Sequence, residues 1–188
     1  MFIKKIAIYG LVLAAACGLL AACGGQTDEA NKFINEANAA LDKSKPATEK
    51  ADTMINELMG PNMVKAEDIE QYKTDNKAKF DEVAGLYEES GKGMSEAVAK
   101  FEQAGKLKID DKFKEYVNLK AQEFRKRADR QKAMATYIKA FLAEKDAAKS
   151  DQMVGDNNTK DAAALKEANE LGAKAEKIVK DNPSIFKN

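Results

Sequence analysis

The chain has 188 residues, with 31 basic and 31 acidic side chains, two Cys, no Trp and no His. Without His, imidazole acid–base catalysis, most zinc and haem sites and the Glu-x-x-His pairs of di-iron bundles are excluded. Balanced charge argues against a general nucleic-acid binder, which needs a basic excess to neutralise phosphates.

The chain opens with a basic stretch at Lys4 and Lys5, followed by an uncharged run from Ile6 to Ala22 that ends in small residues. That layout is a secretory signal peptide; the run is shorter than the ~20 apolar residues a spanning helix needs. Its end, Leu20-Ala21-Ala22-Cys23, resembles the lipobox of bacterial lipoproteins. The resemblance covers the leader and its cut site only; no family is recognised for the residues beyond them. It implies that the Cys23 thiol receives a diacylglyceryl group, that residues 1–22 are cut away, and that Cys23 becomes the first mature residue. Cys17 has Ala14 where the lipobox prefers Leu, and leaves with the leader. No thiol then remains for a disulfide, a zinc ion or a nucleophile, and the covalent lipid on Cys23 is the expected prosthetic group, with no other cofactor and no metal. Gly24 stands at mature position two, where Asp in lipoproteins of this kind favours the inner membrane, so the resemblance implies an outer-membrane location in a Gram-negative cell. Gly24, Gly25 and Gln26 form a tether of about 10 Å when extended, which holds the folded part near the bilayer.

Cleavage removes 22 of 188 residues and two lysines, leaving 166 residues with 29 basic against 31 acidic side chains. That is enough for one domain with a core, and its wealth of Ala, Lys, Glu and Asp is helix-forming. The expected division is leader 1–22, lipidated cysteine and tether 23–27, helical bundle 28–182 and tail 183–188. In the first helix, Ile34, Ala37, Leu41, Ser44, Thr48, Ala51, Ile55 and Leu58 are spaced by threes and fours. The stripe keeps its phase across Pro46, which predicts one kinked helix from about Thr27 to Met59. After Gly60-Pro61-Asn62, a second helix is predicted with its stripe running from Ile69, Tyr72, Asn76 and Phe80 to Phe101 and Ala104. Gly85, Gly91 and Gly93 predict a soft middle in it, and a break near Gly91 is the alternative. Gly105 is the predicted stop. Asp110 or Asp111 opens a third helix with the stripe Phe113, Val117, Lys120, Phe124, Ala128, Gln131, Ala135, Ile138 and Leu142. A polar stretch, residues 150–159, is predicted to separate it from a last helix capped by Asn158 or Thr159 and ended by Pro183. Short links make neighbours antiparallel, so the expected fold is all-α, an elongated up-down-up-down four-helix bundle.

Few constellations offer chemistry. Gly85 to Gly93 resembles a phosphate loop only superficially, because five residues rather than four separate Gly85 from Gly91 and no strand precedes it. Met54, Met59, Met63, Met94, Met134 and Met153 offer soft ligands, but Met also fills irregular gaps in cores, which is the preferred reading. Glu88 with Glu89, and Asp110 with Asp111, are sequence neighbours that do not face each other on a helix. The basic cluster Arg125, Lys126, Arg127, Arg130 and Lys132 is a candidate contact for anionic headgroups or cell-wall polymers. Its members are spread around the helix and diluted by acids, which favours a solvated surface with internal ion pairs. The expected role is non-enzymatic: a lipid-anchored envelope lipoprotein that binds another envelope protein or a cell-wall polymer, or acts as a spacer. The alternative is a carrier whose bundle opens at the second helix to admit an apolar ligand.

Overall fold

Helix α1 covers Thr27–Met59 and passes through Pro46 without interruption. Pro46 lies on the exposed side, so the backbone acceptor it leaves unbonded, the carbonyl one turn earlier, is on the side open to water. The buried side carries Ala30, Ala37, Leu41, Ser44, Ala47, Ala51, Ile55 and Leu58. The computed structural model describes residues 26–64 and 68–186. The expected leader with Cys17, the acylation site Cys23 and the Gly24–Gly25 tether lie outside the described residues.

The predicted second helix is divided. A short α2, Pro61–Val64, is followed by α3, Ile69–Asp75, and by the long α4, Lys77–Gly105. The break falls at Asn76, not near Gly91. Asp68 caps α3 by accepting from the Glu70 and Gln71 amides, while Asn76, at φ −105° and ψ 8°, leaves helical geometry and donates its side-chain amide to the Tyr72 carbonyl. An Asn side chain competes for the backbone groups a helix would use, whereas a glycine costs only flexibility, and the packing around α4 outweighs that cost.

Helix α5, Asp111–Ala143, is capped by Asp110, whose carboxylate accepts from the Lys112 and Phe113 amides. Helix α6, Ala147–Asp181, starts about a dozen residues before the predicted Asn158 or Thr159 cap. The cap is Asp146, accepting from the Ala148 and Lys149 amides. Within residues 150–159, two polar side chains have partners across the bundle: Ser150 is buried against Lys73, and Asn157 donates to the Met134 sulfur at 3.4 Å. Pro183 ends α6 as predicted but starts α7, Pro183–Phe186, so the predicted tail holds a further turn of helix.

Three apolar clusters run along the body. Ala51, Ile55 and Leu58 of α1 meet Phe80, Val83 and Tyr87 of α4 and Met134, Ile138 and Phe141 of α5. Ala37 and Leu41 meet Ala97, Val98 and Phe101 of α4 and Ala121, Phe124 and Ala128 of α5. Ala30 meets Ala104, Phe113 and Val117. Numbers rise along α1 as they fall along α4 and rise again in α5, so the helices alternate in direction. Helix α6 runs back along α5 and carries few buried residues: Ser150, Ala168, Gly172, Ala175 and Ile178. Contacts between helices follow the chain, α1 on α4, α4 on α5 and α5 on α6, and α1 and α6 do not pack along one another. Among the described residues, no helix is long and apolar enough to cross a membrane.

Candidate functional site

The basic cluster on α5 is dispersed by its helical phase, and its arginines and Lys126 each meet an acid. Arg125 pairs with Glu102 of α4, and Lys126 reaches Glu167 of α6 at 2.7 Å. Arg127 donates through Nε to Glu123 at 3.0 Å and through Nη2 to Asn169 at 3.0 Å. Arg130 enters the space between α1 and α6, where it meets Asp161 and Asp52. Lys132 is exposed, its stem passing over Gly91. The five side chains therefore point to different neighbours, and no common anion-binding face is formed by them.

Arg130 belongs to a polar layer that crosses the middle of the bundle. Its Nε and Nη2 donate to the two carboxylate oxygens of Asp161 at 2.5 and 3.1 Å, the two-pronged geometry a guanidinium suits best. Asp52 of α1 lies 3.8 Å away and accepts from the Tyr87 hydroxyl at 2.8 Å. Burial raises the Asp52 pKa, against the pull of Arg130, and burial beside Asp52 pushes the Tyr87 phenol far above its ordinary range. One turn along, Thr48 and Ser90 hydroxyls are 2.5 Å apart. Gln131 is buried with its Oε1 unbonded among the described residues, and its Cβ would lie 3.3 Å from a Cβ on Gly91. Thr48, Ser90 and Gln131 lie between the first and second apolar clusters.

Two further buried charges carry no sequence signal that marks them. Glu123 of α5 is 3 % exposed, bonded to Lys120 at 2.6 Å and to Arg127, and it sits over Gly172. Lys73 of α3, also 3 % exposed, donates to Glu70 at 2.8 Å, the Glu144 carbonyl at 2.6 Å and the Ser150 hydroxyl at 2.7 Å. Its ammonium lies 4.6 Å from the centre of the Phe141 ring. Lys73 thereby ties α3 to the turn between α5 and α6.

The other sequence candidates resolve into structural parts. Gly85 to Gly93 lies inside α4, where backbone amides are already bonded within the helix and cannot cradle phosphate. Met59 ends α1 and Met63 lies in α2, so their apparent one-turn spacing spans a helix boundary. Met54, Met59, Met63 and Met153 are half-buried around the first apolar cluster, and Tyr137 donates to the Met59 sulfur at 3.5 Å. Among the described residues, no three of His, Cys, Asp and Glu gather as metal ligands would. A recess of about 260 Å³ is bordered by Met54, Leu58 and Tyr72 together with Glu57, Asn62, Asn76, Lys79 and Glu82, a mixed lining for so small a space.

At the opposite end, the start of α1 is fastened to the turn between α4 and α5. The Gln26 amide donates to the Lys108 carbonyl at 3.0 Å, and the Lys108 amide donates to Gln26 Oε1 at 3.1 Å. Around this clamp lie the half-buried Phe33, Leu107, Ile109, Tyr116, Ile185 and Phe186. Phe186 packs edge-on against Tyr116 and Phe113, with ring centres 5.2 and 5.5 Å away. No family model, curated protein or solved structure matches this chain.

Proposed function

We propose that the protein is a lipid-anchored envelope lipoprotein whose helical bundle has a non-enzymatic binding or structural role at a membrane surface. The observation that carries this reading is Leu20-Ala21-Ala22-Cys23 at the end of an uncharged run, with the first helix starting at Thr27. Acyl chains on Cys23 supply a stable anchor, because each buried methylene contributes about 0.8 kcal/mol and a second chain makes binding durable. The bundle then stands within reach of the bilayer, where it meets an envelope protein or a cell-wall polymer.

The polar side chains of the body support a structural rather than a chemical role: its buried charges pair with each other, as in Glu123 with Lys120 and Arg127. The carrier alternative requires α4 to open at its glycines, yet Gly91 and Gly93 sit at close helix contacts, which favours the binding or spacer reading. Mass spectrometry of the protein extracted from membranes tests the anchor. A diacylglyceryl adduct on an N-terminal Cys23 is expected, and Cys23→Ala should leave an unprocessed precursor or release the protein. An intact leader on the native chain, or unchanged lipidation of the variant, defeats the reading.

A further inference from the structure

We infer that the end of the bundle formed by the α4–α5 turn, the start of α1 and α7 is a lipid-contacting surface, which seats the rod upright on the phospholipid headgroups into which Cys23 is anchored. This rests on the lipoprotein reading and adds to it a surface, an orientation and an occupant. Its first support is chain length. Only Gly24 and Gly25 stand between Cys23 and Gln26, so the lipidated residue lies within about 10 Å of Gln26 whatever path is taken. Gln26 is bonded twice to Lys108, so the turn Lys106-Leu107-Lys108-Ile109 is held at the tether's point of entry.

The second support is the composition of that end. Leu107 and Ile109 alternate with the exposed Lys106 and Lys108, and the aromatic side chains of Phe33, Tyr116 and Phe186 are partly open around them. Apolar tips flanked by lysines, with aromatic rings behind, match the headgroup boundary: ammonium groups meet lipid phosphates while rings and aliphatic tips enter the upper acyl region. Acids also stand at this end, most of them engaged or at helix N-termini: Asp110 is the α5 cap, Glu115 is bonded to Lys112 at 2.8 Å, Glu29 accepts from the Gln26 side chain at 3.3 Å, and the exposed Asp28 and Asp111 lie in the first turns of α1 and α5, where the helix dipole offsets their charge. The far end, where Lys73 binds the α5–α6 turn, is then carried away from the membrane.

The test uses the processed, lipidated protein reconstituted in phosphatidylethanolamine–phosphatidylglycerol vesicles. Lys106→Cys at the base and Lys145→Cys in the exposed α5–α6 turn each receive an environment-sensitive fluorophore, and headgroup-level spin-labelled lipid is added as quencher. A blue shift and strong quenching at 106, with neither at 145, is the expected result. A base label that reports bulk water, or a label at 145 quenched as strongly as the one at 106, overturns the upright contact. Mass spectrometry of Cys23 in the same sample checks the anchor separately, so loss of lipid and loss of contact are distinguished. Adding Leu107→Asp and Ile109→Asp should abolish quenching at 106 while the lipid adduct and the helical circular dichroism stay unchanged. Undiminished quenching in that folded variant would mean the tether alone sets the distance, and would overturn the contact surface.

Discussion

Glu123 and Gly172 are a single device. A Cβ on residue 172 would come within 3.0 Å of the Glu123 carboxyl carbon and 3.1 Å of both its oxygens, and those oxygens are held by Lys120 and Arg127. Gly172→Ala is therefore expected to cost about 1–3 kcal/mol by forcing a packed interface apart. Glu123→Ala should cost a similar amount or more, because Lys120 and Arg127 are left partly buried without their acid. The double variant should cost clearly less than the sum, since the alanine at 172 then meets no carboxylate; additive effects in urea denaturation would deny the coupling. Asp52 makes a pH-dependent case. Its raised pKa means the native state holds its proton more firmly than the unfolded chain, so this group's contribution is largest below about pH 4 and falls as pH rises through the native pKa. Asp52→Asn should remove that fall and be neutral or stabilising by up to about 1 kcal/mol near pH 7, the small size reflecting a side chain 41 % open to water. A variant that loses more stability at pH 7 than at pH 4 would reverse the sign.

At the scale of elements, the glycines of α4 divide by what faces them. A Cβ at Gly93 would lie 2.7 Å from Ser44 Cβ and 3.4 Å from the Ala40 carbonyl, so α1 could not keep its distance. Nothing stands within 4 Å of one at Gly85. Gly93→Ala should destabilise by about 1–3 kcal/mol, and Gly85→Ala should stabilise by about 0.5–1 kcal/mol, because only the entropy gain operates there. Equal effects in thermal melts would restore the view of a soft helix middle. Pro46→Ala restores an amide on an exposed face and should leave the bundle as stable or raise it by about 1–3 kcal/mol, whereas loss of folding would mean the proline forms a required bend. Much of this level is legible in the sequence: α1 keeps its predicted bounds because one stripe in one phase needs no tertiary knowledge, and Asp110 is visible as a cap. Two departures share one cause. Asn76 fits the stripe, and residues 150–159 have the composition of a link, because periodicity counts apolar side chains and does not reveal that Asn76 bonds Tyr72 or that Ser150 faces a buried lysine. Lys73 carries no sequence mark at all, since its burial depends on three acceptors brought from α3, the α5–α6 turn and α6.

For the whole molecule, alternating amphipathic stripes and short turns are enough to indicate an all-α bundle, but they do not say which helices share the core. Clusters of side chains from α1, α4 and α5 recur along the length, while α6 adds a narrower seam against α5, Ala168, Gly172, Ala175 and Ile178, with Met153 and Val154 packed at the rim of the first cluster. A helix with one long neighbour and five buried residues is held by less apolar area than one with two, so its opening need not unfold the rest. Native-state hydrogen exchange should accordingly give α6 a lower protection limit than α4, with the outer stretch 155–164, which contains Gly155, Asn157 and Asn158, exchanging ahead of 168–178, where Ala168, Gly172, Ala175 and Ile178 are buried. Arg130 should moderate the difference locally, because its bonds to Asp161 fasten α6 at one point beside α1. Arg130→Ala should then speed exchange across 155–164 while leaving α4 near its original rates. Protection in α6 equal to that in α4, unchanged by the variant, would mean the four long helices unfold as one cooperative unit and that α6 contributes to the core more than its buried residues indicate.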